Sequence, residues 1–492
     1  MLNSVDFSGK PFHFIGIGGI GMSALAWILA KRNLPVSGSD LKLSHITQRL
    51  QAQGDHIFWE QTAANLDFFA QRHCSETGVS SSSPVLPQVI CSTAINPSNS
   101  EYLAAKALGC PIFHRSDVLA ALIREHQGIA VAGTHGKTTT SSLVGYLLLQ
   151  ANLDPTIIIG GEVAAWGGNA RVGQGPHLVA EADESDGSLA KLSARFGIIT
   201  NIELDHPDHY SSLEQVVDIF KTFQQQCHTT IGCIDCPTVR TTIQPDISYS
   251  LEPTSGADYI ATDLRSVDGG TVATIWEAQT RLGDLYLPLL GQHNVSNALA
   301  AIALGRQLEL PFAQIAESLK SFHGPRRRFE QRGEFQGTLF IDDYGHHPSE
   351  IEVTLAAAQL KRQQRAVDFP EGRVIAIFQP HRYSRSATFI SEFARAFGHA
   401  DQVIVTDIYS AGEQNTHQIS GETVAAAIAA NHPKVNYCPT LDDVQQTLKS
   451  MLRSGDIALF FCAGNLNQII PAVMERYQPV DVDHLQTVSS CG

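Results

Sequence analysis

Short apolar runs alternate with longer segments in which apolar side chains recur at helical spacing along this 492-residue chain. The short runs predict buried strands, and recurrence at i, i+3 and i+4 predicts helices with one apolar face. Alternation of such strands and helices is typical of α/β folds built on parallel sheets. Strands are predicted at residues 12–15, 35–37, 89–91, 129–132, 177–180, 196–202, 339–342, 374–378, 403–406, 435–437 and 457–462, and helices at 22–31, 138–151, 348–361 and 466–477.

A glycine-bounded loop between a predicted strand and a predicted helix carries the clearest chemical signal. In such loops the backbone N–H groups and the helix N-terminus face a phosphate. Lys137 would reach the outer phosphates, and the hydroxyl of Thr138 would bind Mg²⁺. The usual P-loop has another glycine five residues before Gly136, where this chain has Val131, so an ordinary glycine turn is the alternative. The predicted phosphate-binding residues are Gly133, Thr134, His135, Gly136, Lys137, Thr138 and Thr139.

Acidic side chains follow two predicted strands of the same region. Glu181 begins the stretch EADESD, and the stretch ELDH at 203–206 follows the next strand. Ligands of open parallel sheets bind at the carboxyl ends of the strands, and carboxylate oxygens suit a Mg²⁺ ion that is shared with phosphates. A magnesium site beside the phosphate loop is therefore predicted, with a solvated acidic loop as the alternative.

A second glycine-rich loop, GIGGIG at residues 16–21, lies between a predicted strand and a predicted helix, and Asp40 follows it by about twenty residues. The pattern GxGxxG in this context is the fingerprint of dinucleotide binding, in which a pyrophosphate contacts a helix N-terminus. The motif does not identify the molecule that carries the pyrophosphate. An NAD-dependent dehydrogenase is therefore one interpretation of this loop.

Length and breaker residues divide the chain into three predicted domains. Domains average about 150 residues, so this length suggests three, and Gly324-Pro325 is a breaker that marks a linker. The predicted domains are residues 1–117, 118–324 and 325–492. All are α/β, the first and third Rossmann-like and the central one of the P-loop ATPase type. A flexible loop is predicted at 77–87 and a frayed tail at 478–492.

Composition narrows the classes of function. The net charge of −15 argues against nucleic acid as a partner. Nine cysteines form an odd number without the spacing of a disulfide framework, which favours a reducing cytoplasm. Cys233 and Cys236 form a lone CxxC, which without a second pair does not indicate zinc. The sequence has no signal-peptide pattern and no apolar run of about 18 residues, so membrane insertion is not expected.

The sequence AVAGTHGKTTT at 130–140 resembles the Mur ligase family, whose members use ATP to form amide bonds in peptidoglycan synthesis. Its histidine is similar to that of the members that act on UDP-N-acetylmuramate. Further motifs of the family follow in family order, so that the resemblance extends over all three predicted domains. These motifs are EADESD at 181–186, TNIELDH at 200–206, GQHNVSNALAA at 291–301, DDYGHHP at 342–348 and QPHRYSR at 379–385.

For the central domain, the resemblance implies that Thr138 and Glu181 bind one Mg²⁺ ion and that His206 binds a second. Imidazole is a poor match to a hard cation, so contact with a metal-held water or a local hydrogen bond is the alternative for His206. The resemblance also implies that Asn294 and Asn297 contact the nucleotide. An amphipathic helix with asparagine caps is the alternative there.

For the first domain, the resemblance implies that the glycine-rich loop at 16–21 binds the UDP group of a nucleotide sugar and not a dinucleotide. A plain loop of small residues is the alternative at 92–93. The residues expected at the UDP group are Gly18, Gly19, Ile20, Gly21, Asp40, Ser92 and Thr93.

For the third domain, the resemblance implies that Tyr344, His346, Arg382 and Arg385 surround the incoming amino acid and that Asp343 lies near ATP. A pair of arginines suits a carboxylate through bidentate hydrogen bonds.

Two further assignments concern the linker and the histidine pair. The three arginines after Gly324-Pro325 can clamp phosphate when the domains close, with a solvated basic turn as the alternative. The resemblance selects Arg328, because the family's linker has an arginine directly before the phenylalanine. His346 and His347 could instead be metal ligands or capping groups before the next helix.

The resemblance therefore implies a ligase that joins the lactyl carboxylate of UDP-N-acetylmuramate to the amine of L-alanine through an acyl phosphate, with ATP and Mg²⁺. Lys137, Glu181, His206 and Arg328 are the expected catalytic residues. A cytoplasmic monomer or weak homodimer is expected, which serves cell-wall synthesis and hence cell shape and division. The rivals are the dehydrogenase, a related ligase for recycled peptide or folate-type glutamate addition, and an inactive nucleotide-binding module.

Overall fold

The computed structural model describes residues 4–69 and 86–475. The chain divides into two compact units, the first comprising Met1–Arg265 and Gly269–Arg326 and the second Ser266–Asp268 and Arg327–Gly492. Most of the predicted loop at 77–87 and all of the predicted tail at 478–492 lie outside the described residues.

The first sheet belongs to the first unit and has five parallel strands. Its strands are β1 (Phe12–Ile15), β2 (Val36–Ser39), β3 (His56–Phe58), β4 (Gln88–Cys91) and β5 (Ile112–His114). Its helices are α1 (Ile20–Lys31), α2 (His45–Gln53), α3 (Ser100–Leu108) and α4 (Arg115–Arg124). The strand order is β3-β2-β1-β4-β5, so the order reverses between β1 and β4. The loops after these two strands therefore lie side by side at one edge of the sheet.

The second sheet also belongs to the first unit and has ten strands. Its strands are β6 (Gln127–Ala132), β7 (Thr156–Val163), β8 (Gly168–Arg171), β9 (His177–Glu181), β10 (Phe196–Ile199), β11 (Thr229–Cys233), β12 (Ile247–Ser250), β13 (Tyr259–Val267), β14 (Gly270–Glu277) and β15 (Thr280–Leu287). Its helices are α5 (Lys137–Gln150), α6 (Leu213–Gln226), α7 (Gln292–Gln307) and α8 (Phe312–Leu319). The order is β15-β14-β13-β12-β11-β10-β6-β9-β7-β8. Pairing is parallel from β13 to β7, so β6 has β10 and β9 as parallel neighbours.

The third sheet forms the second unit. Its strands are β16 (Glu330–Phe335), β17 (Thr338–Asp343), β18 (Val374–Gln379), β19 (Gln402–Val405), β20 (Val435–Tyr437) and β21 (Ile457–Cys462). Its helices are α9 (Pro348–Arg365), α10 (Tyr383–Thr388), α11 (Ile390–Phe393), α12 (Gly421–Ala429), α13 (Leu441–Met451) and α14 (Ile470–Glu475). The order is β16-β17-β21-β18-β19-β20, and β16 alone pairs antiparallel.

Helix α5 is buried around most of its circumference. Its apolar residues Leu143, Val144, Leu147 and Leu148 are fully buried in one core cluster that also includes half of the residues of α7. A helix that is apolar on several faces needs cover on each of them. The start of α5 is therefore held rigidly against the sheet, which fixes the direction of the loop that precedes it.

The predicted α/β fold class is confirmed, and each predicted strand corresponds to a strand of the structure within a few residues. The strand predicted at 196–202 was too long, because β10 ends at Ile199 and the next residues turn away from the sheet. The helix predicted at 466–477 begins with a 3₁₀ turn at Leu466–Ile469 before α14, and its last two residues lie outside the described part of the chain. The antiparallel pairs β7–β8, β14–β15 and β16–β17 were not predicted.

Among residues 4–69 and 86–475, the helices are all too short or too polar to cross a membrane.

Asp55, directly before β3, offers a test of the packing of the first sheet. Its side chain is 8% exposed, and Oδ2 has no hydrogen-bond partner among the described residues. Burial raises the pKa of Asp55 to about 7, although Lys31 lowers it. Because the folded-state pKa lies above the unfolded value of 3.8, ionisation of Asp55 destabilises the fold as the pH rises from about 4 to about 7.

We expect Asp55→Asn to increase the free energy of unfolding by about 1–2 kcal/mol at pH 8 and to change it little at pH 4. Urea unfolding at both pH values measures the difference. Asp67→Asn, at an exposed position of the same domain, is the control and should have little effect at either pH. An equal gain at both pH values for Asp55→Asn would contradict the electrostatic explanation.

Candidate active site

The predicted phosphate-binding loop connects β6 to α5. Two of its glycines adopt left-handed backbone angles, with φ of +141° at Gly133 and +81° at Gly136. A Cβ at Gly133 would lie 1.9 Å from the hydroxyl of Thr200, and a Cβ at Gly136 would lie 2.6 Å from Oδ1 of Asn297. The loop is therefore packed closely on both sides, and a larger residue would displace it.

Residues that follow β10 hold this loop in place. The side chain of Asn201 accepts the backbone N–H of His135 at 2.8 Å and donates to the carbonyl of His135 at 3.1 Å. The Thr200 hydroxyl donates to the same carbonyl at 2.6 Å. The hydroxyl of Thr134 accepts the N–H of Glu203 at 2.9 Å. These bonds explain why β10 ends earlier than predicted.

Lys137, the first residue of α5, turns back into the loop. Its Nζ donates to the carbonyls of Gly133 at 2.5 Å and Thr134 at 3.1 Å, and to Oε1 of Glu184 at 2.9 Å. Burial lowers the pKa of Lys137, but the neighbouring Glu184 and Asp183 outweigh it and hold the pKa above its ordinary value. Lys137 therefore stays cationic at neutral pH and faces the place where loop N–H groups would hold phosphates.

Thr138 and Glu181 lie together, as the magnesium prediction requires. The Thr138 hydroxyl donates to Oε1 of Glu181 at 2.8 Å, and the N–H of Gly160 donates to Oε2 at 2.6 Å. A Cβ at Gly160 would lie 2.7 Å from Oε1 of Glu181. A hydroxyl beside a carboxylate offers the hard oxygen donors that Mg²⁺ prefers. This pair therefore fits a magnesium ion.

The remaining acids after β9 form a charged cluster around Lys137. Asp183 accepts from Arg115, the first residue of α4, and burial raises the pKa of Asp183 while Lys137 and Arg115 lower it to about 2. Burial raises the pKa of the Glu184 carboxyl to about 7, although Lys137 lowers it. Asp186 also accepts from Arg115.

His206, the second predicted metal ligand, lies at the edge of this cluster. Its backbone has a φ of +57°, and its N–H donates to Oδ1 of Asp205 at 2.7 Å. The ring Nε2 lies 3.5 Å from Oδ2 of Asp205 and 4.0 Å from Oε1 of Glu184. The structure thus brings His206 near the acids around Lys137, while its metal role stays a prediction.

Asn294 and Asn297 lie in the first two turns of α7, as their spacing predicted. Both are buried. Asn294 donates to the carbonyl of Leu290 at 2.8 Å, and Asn297 accepts the hydroxyl of Thr140 at 3.1 Å. Thr139 is buried in the first turn of α5. The side chain of Asn297 therefore lies against the phosphate loop, while Asn294 helps to close the start of its own helix.

The glycine loop after β1 is organised by Asp40. Oδ2 of Asp40 accepts the N–H of Gly18 at 2.8 Å, and a Cβ at Gly18 would lie 2.7 Å from that oxygen. Gly19 is the N-cap of α1, and Ile20, which follows it, is 39% exposed. Asn169 of the second sheet donates to the carbonyl of Ile20 at 2.6 Å. The two sheets of the first unit therefore meet beside this loop.

The loop after β4 lies next to it. The carbonyl of Ser92 accepts the N–H of Ile95 at 3.1 Å. Cδ1 of Ile95 lies 3.3 Å from the position of a Cβ at Gly16. Ser92 is half-buried and Thr93 is exposed. The fold therefore places both predicted UDP-binding loops at the same edge of the first sheet.

In the second unit, Asp343 ends β17. Its two oxygens accept the N–H groups of Phe329 and Gly345, each at 2.7 Å. Burial raises the pKa of Asp343 to about 6, although Arg328 lowers it. Asp343 therefore anchors the segment around Arg328 to the sheet, and a direct contact with ATP stays a prediction.

Tyr344 lies between Asp343 and the histidine pair. The guanidinium groups of Arg327 and Arg328 lie 4.9 Å and 5.4 Å from the centre of its ring. Nδ1 of His346 lies 3.0 Å from the carbonyl of Tyr344. His347 caps α9 by accepting the N–H of Ser349, so the capping alternative holds for this histidine.

The segment after β18 supplies the two predicted carboxylate-binding arginines. Arg385 is 2% exposed, and its Nη1 lies 3.2 Å from Nδ1 of His381, whose ring centre lies 5.8 Å from that of His346. Arg382 has a φ of +68°, and its Nη1 donates to Oε1 of Glu413 at 3.1 Å. A carboxylate that binds Arg382 would compete with Glu413.

The structure brings Lys137, Thr138, Glu181 and His206 together in the first unit. In the second unit it places Arg328, Tyr344, His346 and Arg385 along one series of side-chain contacts, and it pairs Arg382 with a different partner. Five residues of these contacts were not predicted from the sequence. Glu184, Thr200 and Asn201 lie inside quoted motifs, although no role was assigned to them. Arg115 and Glu413 lie in no quoted motif.

Three family models match successive parts of the chain. They describe the Mur ligase family catalytic domain at residues 11–127, the Mur ligase middle domain at 131–305 and the Mur ligase glutamate ligase domain at 327–464. These matches together cover most of the chain and include the phosphate loop, the acidic stretch and both motifs of the second unit. The chain belongs to the Mur ligase family, and the predicted resemblance is confirmed.

Curated relatives and solved structures show which members of the family this chain resembles. The UDP-N-acetylmuramate–L-alanine ligase of Nostoc punctiforme is 61% identical over 479 residues, which are 97% of this chain and 98% of the relative. The crystal structure of the UDP-N-acetylmuramate–alanine ligase MurC from Thermotoga maritima has a TM-score of 0.78 at 28% identity, covering 95% of this chain and 99% of that one. A murein peptide ligase from Psychrobacter arcticus, with a TM-score of 0.67 at 22% identity and coverage of 95% and 99%, shares the fold.

The bonds from Asn201 to the phosphate loop generate a test that is independent of any ligand. Asn201→Ala removes one acceptor and one donor that hold His135. Since each such bond contributes about 1 kcal/mol, we expect amide hydrogen exchange at 133–136 to accelerate by roughly tenfold. Asn96→Ala, in a different loop of the same unit, is the matched control. Unchanged exchange at the phosphate loop in Asn201→Ala would show that other contacts suffice to hold it.

Proposed function

We propose that this chain is an ATP-dependent ligase that joins the lactyl carboxylate of UDP-N-acetylmuramate to the α-amine of L-alanine. The observation that carries the proposal is the 61% identity to a UDP-N-acetylmuramate–L-alanine ligase over 97% of this chain. The geometry of Lys137, Thr138 and Glu181 supports it, because these groups suit phosphoryl transfer. The products are UDP-N-acetylmuramoyl-L-alanine, ADP and phosphate.

The phosphate loop is proposed to hold ATP. Its backbone N–H groups and the N-terminus of α5 bind the phosphates, and Lys137 neutralises charge that moves to the β,γ-bridging oxygen. Thr138 and Glu181 would hold Mg²⁺, which would shield the phosphate oxygens from the attacking carboxylate. Asn297 lies against the loop, and with Asn294 it is proposed to contact the nucleotide. His206 is proposed to assist a second ion or its water.

The reaction needs two displacements, since a free carboxylate is a poor acyl donor. An oxygen of the lactyl carboxylate attacks the γ-phosphorus, the bond to the β,γ-bridging oxygen breaks, and ADP leaves. The alanine nitrogen then attacks the acyl carbon, the C–N bond forms, and phosphate leaves with the former carboxylate oxygen. The protein aligns these groups and excludes water, which would hydrolyse the acyl phosphate.

The two loops of the first sheet are proposed to bind the UDP group. Gly18, Gly19 and Gly21 allow the backbone to approach a pyrophosphate closely, and the N-terminus of α1 attracts its charge. Asp40 keeps the loop in its shape through Gly18. Ile20, Ser92 and Thr93 complete the predicted contact set.

The second unit is proposed to bind alanine. Arg382 and Arg385 would hold its carboxylate, with Tyr344 and His346 beside it. His346 or a neighbouring carboxylate would accept the proton that the ammonium group must lose before attack. Arg328 would bind phosphate, and Asp343 would act near ATP by holding the Arg328 segment in place.

The remaining proposals concern boundaries and setting. We place the domains at 1–117, 118–324 and 325–492. The partners are small molecules, ATP and Mg²⁺ among them, and the chain is a monomer or weak homodimer. A cytoplasmic location agrees with the seven described cysteines, which are all free.

Gly160 provides a test of the metal site. Gly160→Ala would place a methyl group 2.7 Å from Oε1 of Glu181, which should move the carboxylate away from Thr138. We expect the Mg²⁺ concentration for half-maximal ADP release to rise by about 10–100-fold, the range seen when support of a metal ligand is lost. Gly398→Ala, where a Cβ would meet no atom within 4 Å, is the control. An unchanged Mg²⁺ requirement in Gly160→Ala would remove Glu181 from the metal site.

An isotope experiment tests the proposed reaction itself. UDP-N-acetylmuramate with ¹⁸O in its lactyl carboxylate is incubated with ATP, Mg²⁺ and L-alanine, and the released phosphate is weighed. We expect one ¹⁸O atom in each phosphate, because the carboxylate oxygen bridges to phosphorus and leaves with it. Unlabelled phosphate would contradict an acyl phosphate.

A substrate panel separates the proposed ligase from its relatives. Alanine, glycine, serine and the recycled tripeptide are offered in turn with the same nucleotide sugar, and ADP release is followed. Preference for the tripeptide would favour the peptide-recycling rival, and ADP release that needs no nucleotide sugar would contradict the proposed substrate.

A further inference from the structure

Arg115 lies between the proposed UDP-binding loop after β1 and the acidic loop, residues 181–186, beside the proposed ATP site. Its Nη2 donates to Oδ2 of Asp183 at 2.9 Å and to Oδ2 of Asp186 at 3.1 Å. A Cβ at Gly21 would lie 3.8 Å from its Nη1, so the other end of the guanidinium faces the start of α1. One side chain of α4 thus contacts the acidic loop that follows β9, beside the proposed UDP-binding loop.

The acidic loop extends this connection to the phosphate loop. Glu184, which lies between Asp183 and Asp186 in this loop, accepts from Nζ of Lys137 at 2.9 Å. Arg115 and Lys137 therefore bind neighbouring carboxylates of one short segment. Asp183 in turn helps to raise the pKa of Lys137. A change in the position of Arg115 therefore alters the charge distribution around Lys137, although the two cations lie on different helices, α4 and α5.

We propose that Arg115 is a positioning residue that couples the binding of the nucleotide sugar to the binding of ATP with its divalent cation; this inference rests on the proposed function. An anionic group of the nucleotide sugar at the N-terminus of α1 competes with Asp183 and Asp186 for the guanidinium. The carboxylates that lose Arg115 make the neighbourhood of Lys137 more negative, which favours the divalent cation that accompanies ATP.

The coupling must be reciprocal, because binding free energies are linked. ATP with its cation then strengthens the binding of the nucleotide sugar by the same factor. If Arg115 only held α4 against the acidic loop, its loss would weaken the binding of both ligands or of neither. The effect of each ligand on the affinity for the other would then stay unchanged.

A second ion pair between neighbouring segments supplies the control for such a tie. Nζ of Lys191 lies 2.8 Å from Oδ1 of Asp117 on α4, and both side chains are about one-third to one-half exposed. This pair joins α4 to the turn Ser188–Lys191 that follows the acidic loop, but neither partner belongs to residues 181–186. Lys191→Ala therefore loosens the same junction without touching the proposed connection.

The experiment measures the dissociation constant of UDP-N-acetylmuramate by titration calorimetry, with and without Mg²⁺ and a non-hydrolysable ATP analogue. The ratio of the two constants is the coupling factor. For the unchanged chain we expect a factor between about 5 and 150, the usual range of coupling between sites. Arg115→Ala should bring this factor close to 1. Because Asp183 and Asp186 then lack Arg115 even without the nucleotide sugar, the affinity for the ATP analogue with Mg²⁺ should rise by about the coupling factor of the unchanged chain. Lys191→Ala should keep the factor of the unchanged chain.

If Arg115→Ala folds poorly, Arg115→Lys is tested instead, because it keeps the positive charge. Lysine lacks the planar guanidinium, so it cannot contact both aspartates and a substrate anion at the same time. We expect an intermediate factor for this variant. A full coupling factor in Arg115→Ala, or a factor of 1 in the unchanged chain, would overturn the inference and leave the proposed ligase intact. Failure of the unchanged chain to bind UDP-N-acetylmuramate at all would overturn the proposed function as well.

Discussion

The buried ion pair between Lys137 and Glu184 is the interaction on which the central site depends. A lone ammonium group or carboxylate at this depth would cost several kcal/mol, because neither charge would be solvated. The pair offsets that cost in the observed geometry, in which Lys137 also donates to the carbonyls of Gly133 and Thr134. The shape of the phosphate loop, the start of α5 and the position of the acidic loop are therefore fixed together. A change in any one of them leaves a buried charge without its partner.

Sheet topology explains why the chemistry collects at two edges of the first unit. β6 has β9 and β10 as parallel neighbours, so the phosphate loop, Glu181 and Thr200 all follow carboxyl ends that lie side by side. The same argument applies to β1 and β4, whose following loops form the proposed UDP site. The reversal of strand order leaves a crevice between the loops in each case. Fold and site are therefore linked through the order of the strands rather than through any single motif.

Eleven of the 21 strands in the described residues and the position of the phosphate loop could be predicted from the sequence. Apolar runs mark these strands locally, and glycine beside Lys137 marks the loop. The pairing of Arg115 with Asp183 could not be predicted, since 68 residues separate them and no local pattern marks either as the other's partner. Antiparallel strands such as β14 and β15 were not predicted, because their sequences contain no continuous apolar run. Their strand structure depends on hydrogen bonds to each other, which the sequence does not show. Asp343 was found by resemblance, but its bonds to two backbone N–H groups become visible only in the folded chain.

The charges around Lys137 give a physical reason to expect a divalent cation in the proposed reaction. Residues 181–186 contribute four carboxyl groups, and Lys137 and Arg115 contribute two cations, which leaves an excess of two negative charges when all are ionised. The raised pKa of Glu184 reduces this excess only in part near neutral pH. A nucleotide triphosphate that approached without a cation would meet repulsion from these acids at short range. A divalent ion at Thr138 and Glu181 would balance the excess, so the acids that oppose the free nucleotide would favour its metal complex.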